Sequence, residues 1–404
     1  MVEADTLIRG EAAGIADLIA RRAPGHALET AFYRDPAVYA RDLERIFFTH
    51  WLWIGHASDV ARPGDFVTFE VGEESVIVVR GRDDRVHALA NVCRHRGSRV
   101  CYAGRGHADW LVCPYHGWTY DLDGSLAKAR LMPADFDPAT HGLAPVHLRE
   151  LHGLIFISLA ESPPDFELIA RDLAAPLAPY GLAEARVAHR ALWRIRANWK
   201  LAVENYQECY HCAPAHPEFS RSHSIKLPRR RYLRLTSALM ARARESGLDH
   251  PFADHVGPGE GPQHYYDRYP LFEGYVTGSE DGEPLAPLLG TIPDYDGGAA
   301  NVQVGPVSFF LAYPDHVVGY RFTPRACQET DCEVVWLVRG DAEAGRDYDP
   351  ERLSWLWRVT TEADKTIIEK NQEGVNSRFY RPGPYAPMES FCARFVDWYL
   401  DTIA

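Results

Sequence analysis

No stretch of the chain approaches the roughly 18 consecutive apolar residues of a membrane span, so no crossing helix and no membrane partner are expected. Positive charge is also short. The 43 Lys and Arg face 56 Asp and Glu, and a net charge of −13 argues against a nucleic-acid surface. Cysteine is sparse, with eight in 404 residues, too few for a disulfide framework. The opening MVEADTLIRGEAAGIADLIARRAPGH lacks the basic start, apolar middle and small-residue cleavage site of a signal peptide, so a cytoplasmic location is expected. With 46% hydrophobic residues, the chain has the makings of two or three buried cores.

The organisation follows from the changes of period. Tyr39, Leu43, Ile46 and Phe47 recur at helical spacing within a helical entry over residues 27–58, with Trp51 and Trp53 following. DFVTFEV, SVIVVR and VHALANV then read as short antiparallel strands between turns, and HLRELHGLIFISL as a closing strand. Residues 1–47 are therefore expected as a helical segment packing on the larger domain, 48–160 as a β-rich domain, and 161–404 as the remainder. Within the last, ALWRIRANWKLAVENYQECYHC predicts a strand running into a helix, and ERLSWLWRVTTEADKTIIEKNQEG a long helix. Residues 251–300 hold 9 Gly and 7 Pro and read as a long loop or lid.

The few cysteines matter because they cluster with histidines. Cys93-x-His95 and Cys113-x-x-His116, seventeen residues apart, pair one thiolate with one imidazole twice over. Such pairs can close one tetrahedral zinc, or hold a Rieske [2Fe-2S] cluster with two Cys on one iron and two His on the other. Both pairs fall on loops of a β-rich region, and Gly97, Pro114 and Gly117 supply tight turns. Cys101 and His107, between the pairs, read as ordinary loop residues.

A second group lies in NWKLAVENYQECYHCAPAHPEF. Glu204, Glu208 and His211 fall at helical spacings of four and three and are expected on one face, and His216 follows the helix-breaking Pro214. Two imidazoles and one carboxylate leave positions open on ferrous iron, although two structural histidines would read the same way. Asp364 is the candidate third donor. In the long helix it shares the apolar face of Leu353, Trp357, Thr360 and Ile368, where an unpaired carboxylate is unfavourable. Cys209-x-x-Cys212 has no second pair beside it and reads as packing.

These motifs resemble the Rieske non-haem iron oxygenases. RHRG and CPYHGWTYDLDG resemble the family's cluster domain, and E-x-x-x-E-x-x-H-x4-H its mononuclear iron motif. Glu208 stands where most ring dioxygenases carry Asp, as in the branch that oxidises quaternary ammonium compounds, which the C-terminal stretch also resembles. The resemblance covers about residues 30 to 400. It implies an α+β architecture, with an all-β Rieske domain before a helix-grip catalytic domain, and usually a homotrimer. It also implies a [2Fe-2S] cluster on Cys93, His95, Cys113 and His116, and Fe(II) on His211, His216 and Asp364. Glu208 would bridge His211 to a cluster histidine of the next subunit, His116. O2 would be co-substrate. No nicotinamide, flavin or plant-type ferredoxin motif is present, so NAD(P)H would act only through a separate reductase, with or without a ferredoxin. Tyr206, Phe309, Phe310, Tyr313 and Tyr320 are candidate pocket rings able to cage an ammonium group. The expected reaction is N-demethylation or hydroxylation of a betaine-like compound. An aromatic-acid ring hydroxylase is the alternative, and a non-catalytic Rieske electron carrier the reading of another class.

Overall fold

Turn residues set the register of the first sheet. β2 (Asp65–Val71), β3 (Glu74–Arg80) and β4 (Val86–Ala90) are rich in β-branched and aromatic residues, and Gly72 and Asp84 take left-handed backbone in the turns between them. With β5 (Arg105–His107) they form an antiparallel sheet in the order β4-β3-β2-β5. β6 (Leu111–Val112), β7 (Thr119–Tyr120) and β8 (Leu126–Lys128) form a second small sheet. The computed structural model describes residues 14–224, 227–259 and 261–404. The first thirteen residues of the expected N-terminal segment therefore lie outside the described residues.

Three local expectations are corrected. The helical entry stops at Phe47, and β1 (Leu52–His56) follows as an edge strand whose residues are all buried, the sheet being covered on both faces there. The single closing strand is a hairpin, β9 (His147–Leu151) and β10 (Leu154–Ser158), turned by His152 and Gly153, both with positive φ. Residues 251–300 are not all loop: β12 (Ala253–Val256) and β13 (Gln263–Pro270) lie among them, the Gly and Pro residues concentrating on either side of QHYYDRYP.

The remaining strands, β11 (Arg186–Ile195), β14 (Gly298–Val304), β15 (Ser308–Ala312), β16 (Val317–Ala326) and β17 (Glu329–Val338), join β12 and β13 in a seven-stranded antiparallel sheet ordered β11-β17-β16-β15-β14-β13-β12. Helix Pro350–Val375 packs against β11 and against helix Trp199–Tyr206. It begins at Asp349, whose carboxylate accepts from the Glu351 backbone N–H at 2.8 Å, with Pro350 in the first turn. The expected α+β class is borne out.

The sheet separates two cores. Phe309, Tyr320, Trp199 and Trp357 belong to one, and Phe310, Val302, Trp51, Trp53 and helix Phe166–Leu177 to the other. A third core surrounds the cysteine loops, with Ile77, Leu89, Trp118 and Tyr120 packed on Cys93 and Cys113.

Candidate metal centres and active-site cavity

The two Cys/His loops are built alike although their spacings differ. The Cys93 N–H donates to the Ser98 carbonyl at 2.8 Å and the Gly97 N–H to the Cys93 carbonyl at 2.9 Å. In the second loop the Cys113 N–H donates to the Trp118 carbonyl at 2.8 Å and the Gly117 N–H to the Cys113 carbonyl at 3.0 Å. Gly97 and Gly117 take φ of 77° and 73°, a conformation that a side chain disfavours. Both thiols are buried and both imidazoles exposed, with His95 Nδ1 3.2 Å from His116 Nδ1. His95 stacks on the buried ring of Trp118, and the Tyr120 hydroxyl lies 3.2 Å from Cys93 Sγ. Burial pushes the Cys113 thiol up, away from the thiolate a metal requires, so an uncompensated anion is unfavourable there.

One zinc ion does not suit this arrangement. Among the described residues, the only set of three or more Cys, His, Asp or Glu donors lying within 4.8 Å of one another is His211, His216 and Asp364. The four loop donors form a thiol end and an imidazole end, which suits a two-iron cluster and not a single tetrahedral ion. Cys101 and His107 join neither end; His107 Nδ1 pairs with Asp65 at 2.8 Å.

The other three donors come from distant parts of the chain. His216 Nε2 lies 2.8 Å and His211 Nε2 3.2 Å from the same oxygen, Asp364 Oδ1. Burial opposes charge on His211, but hydrogen bonds with Asp364 and Glu208 outweigh it and push its pKa up to about 9. Burial likewise opposes charge on Asp364, and its two histidine partners hold its carboxyl below the usual range. A buried site that favours both a carboxylate and positive charge between two imidazoles fits a cation, and this donor set fits non-haem iron. Glu208 Oε1 accepts from His211 Nδ1 at 2.6 Å, which orients the ring and leaves Nε2 facing Asp364.

The shared helix face of Glu204, Glu208 and His211 is not formed. The helix ends at Tyr206, so Glu208 and His211 sit on the turn beyond it, while Glu204 points elsewhere and accepts from the Tyr33 hydroxyl at 3.0 Å and the Tyr385 hydroxyl at 3.3 Å. Cys209 and Cys212, expected as packing, are joined by a disulfide across that turn.

A cavity of about 460 Å³ adjoins the three donors. Cross-strand register puts Tyr265, Gln303, Phe309 and Tyr320 in one row along its wall. Tyr206 stacks on Phe309 at 4.2 Å, and Trp357 lines the cavity from the long helix. Of the candidate pocket rings, Tyr206, Phe309 and Tyr320 line it, whereas Phe310 and Tyr313 do not. Phe310 follows Phe309 and so faces the opposite side of the sheet, packing on Trp53 at 4.8 Å. Tyr313 lies past the end of β15 with its hydroxyl 2.8 Å from His223 Nε2. Tyr265 and Tyr269 also line the cavity, from a strand that the surrounding Gly and Pro residues disguise as loop; their i, i+4 spacing within QHYYDRYP is the signal the sequence offers. No described residue lining the cavity is Lys or Arg.

Residues 50–145 match the family description "Rieske [2Fe-2S] domain", and residues 182–404 match "Ring hydroxylating alpha subunit (catalytic domain)". The chain belongs to the Rieske ring-hydroxylating oxygenase alpha subunits. As a Rieske oxygenase it carries a [2Fe-2S] cluster and a mononuclear iron and uses O2. It is 39% identical to the glycine betaine monooxygenase oxygenase subunit of Chromohalobacter salexigens, over 96% of this chain and 88% of that one. It is 30% identical to the carnitine monooxygenase oxygenase subunit of Acinetobacter pittii, over 87% and 85% of the two chains. The solved quaternary ammonium Rieske monooxygenase CntA with L-carnitine superposes with a TM-score of 0.71 at 25% identity, covering 95% of this Rieske oxygenase and 98% of that chain. Among the described residues, no helix is long and apolar enough to cross a membrane.

Proposed function

We propose that this oxygenase removes a methyl group from a betaine-type quaternary ammonium compound, with Cys93, His95, Cys113 and His116 holding the cluster and His211, His216 and Asp364 the iron. The observation that carries the substrate class is the aromatic cavity wall, with no Lys or Arg among its described lining residues, beside Glu208 and Asp364. Aromatic faces and nearby carboxylates attract an ammonium group. A betaine brings its own counter-charge, so its carboxylate enters as part of a neutral zwitterion. An aromatic acid would bring an uncompensated anion towards two carboxylates, with no Lys or Arg among the described lining residues to meet it. The relatives named for glycine betaine and carnitine oxidation support the same class.

The iron, when bound, would supply dioxygen activation for hydroxylation of a carbon attached to nitrogen; the N–CH2OH group then gives up its hydroxyl proton and its C–N bond breaks, leaving amine and formaldehyde. The protein's part is positional. Tyr206, Phe309 and Tyr320 hold the ammonium head, the cavity wall excludes bulk water, and Glu208 fixes His211. Electrons would come from a separate reductase, with or without a ferredoxin. In a homotrimer, Glu208 would link His211 to His116 of a neighbouring subunit. We take the described part of residues 1–47 as the helical N-terminal segment, 48–160 as the cluster domain and 161–404 as the catalytic domain.

The test is reductase-driven turnover against glycine betaine, carnitine, choline and a panel of aromatic acids, with products identified by mass. Formaldehyde in step with oxygen consumption is expected from a betaine. Product from aromatic acids alone would overturn this reading.

A further inference from the structure

The Cys209–Cys212 bridge has no place in the chemistry so far. It is the one disulfide among the described residues, whose other six cysteines are free. Both of its cysteines line the cavity beside His211, His216 and Asp364. The bridge closes a four-residue ring, Cys209-Tyr210-His211-Cys212, so a donor of the iron site sits inside it. Between the helix end at Tyr206 and the next helix start at Cys212 the turn is irregular. Hydrogen bonds restrain it as well: Glu208 accepts from the Tyr210 N–H, from the His211 N–H at 3.2 Å and from His211 Nδ1 at 2.6 Å, and the His211 carbonyl accepts from the Ala215 N–H at 3.0 Å.

We infer that Cys209 and Cys212 form a redox-active pair, a modification site in the wall of the active-site cavity, whose oxidation to the disulfide clamps His211 and slows loss of the mononuclear iron. The inference rests on the proposed role of His211 as an iron ligand. In a reducing compartment, as the sequence leads one to expect, disulfides are transient and answer to oxidants. This enzyme brings electrons and dioxygen together, and when they meet without substrate, O2 takes two electrons and two protons to become hydrogen peroxide. One thiol attacks the peroxide, its sulfur taking one oxygen as sulfenic acid while the other leaves as water. The second thiol displaces the sulfenic oxygen as a second water, leaving the disulfide. Cys209, half-buried in the cavity wall, meets the peroxide; Cys212, 5% exposed, resolves it. A dithiol reductant reverses the step by exchange, itself becoming the disulfide.

The clamp follows from chain statistics. Without the bridge, only hydrogen bonds hold the turn, and conformations that swing His211 away become accessible; closing the ring removes many of them. The bridged form is competent for the metal, since His211 Nε2 and His216 Nε2 both reach Asp364 Oδ1 within it.

The experiment uses iron-loaded enzyme, reduced with dithiothreitol or treated with hydrogen peroxide or diamide, then cleared of reagent. Iodoacetamide labelling with peptide mass spectrometry should find Cys209 and Cys212 both alkylated after reduction and neither after oxidation. Mononuclear iron release to a ferrous chelator, with ascorbate present to keep the metal ferrous, should be on the order of tenfold slower from the bridged form. The Cys209→Ser, Cys212→Ser double variant should release iron at one rate after either treatment. Thiols that stay alkylatable after oxidant, equal release from both forms, or a double variant that still responds would each overturn the inference. A His211→Ala variant that keeps its full iron content would instead count against the ligand assignment, whatever the labelling shows.

Discussion

The two metal centres are put together in opposite ways. The cluster site is local: each loop returns on itself within six residues through the same pair of backbone hydrogen bonds, and its small core of Leu89, Trp118 and Tyr120 is its own. The iron site is assembled at long range, with Asp364 separated from His216 by 148 residues and brought within hydrogen-bond reach of it by the packing of the long helix. The cluster site can therefore form wherever its β-loops form, whereas the iron site depends on the whole catalytic fold. An unpaired Asp364 buried in an unassembled site is unfavourable, so metal binding and helix docking support each other.

The most direct way to break this comparison is to remove one donor from each site. Asp364→Ala should abolish turnover and lower iron from about three to about two per chain, leaving the reduced-state Rieske signal intact. Cys113→Ser should do the reverse, removing the cluster signal while chelatable mononuclear iron remains. A variant of either kind that lost both centres would show the two sites to be one cooperative unit.

Glu208→Gln probes what joins them. It should keep both metals and lower reductase-driven turnover by roughly 10- to 100-fold, the scale of losing a carboxylate behind a metal-bound histidine. Unchanged turnover would remove Glu208 from the electron path.

A smaller effect is expected at Glu204, whose burial raises its pKa from 4.5 to about 7 against the hydrogen bonds from Tyr33 and Tyr385. The folded state then holds a proton that the unfolded state has lost between those pH values, so this group's contribution to stability falls as pH rises from about 4.5 to 7. Glu204→Gln should flatten that slope in melting temperature against pH, and a slope equal to wild type would contradict the assignment.

The finest probe is Tyr120→Phe, which removes the hydroxyl beside Cys93 Sγ. Hydrogen bonds to cluster sulfur favour the more negative reduced state, so the cluster's reduction potential should fall while iron content stays the same. A potential equal to wild type would mean that this hydroxyl serves the Arg94 N–H, 3.0 Å away, and not the sulfur.

The β-strands over 65–92, the long helix and the cluster loops were legible because each rests on short-range pattern: β-branched alternation, a 3.6-residue period, paired Cys and His with glycine at the turn. Asp364 was legible for a related reason, as a carboxylate on the apolar stripe of an amphipathic helix. The errors share a physical origin. Glu204 and His211 have helical spacing, but the helix stops at Tyr206, and spacing does not announce where a turn begins. Phe310 and Tyr313 are as aromatic as Phe309 and Tyr320, and only strand register says which ring faces the cavity. The tyrosines of β13 were hidden by the Gly and Pro residues around them.

The sequence by itself determined the candidate donors, their grouping into two clusters and the α+β class, because these follow from side-chain chemistry and local periodicity. Tertiary structure decided that the loop donors divide into a thiol end and an imidazole end, which rings meet the cavity, and that Cys209 and Cys212 close a ring around His211. Those depend on distances between atoms that are remote in the chain or hidden within an irregular turn, where spacing along the sequence does not specify separation in space.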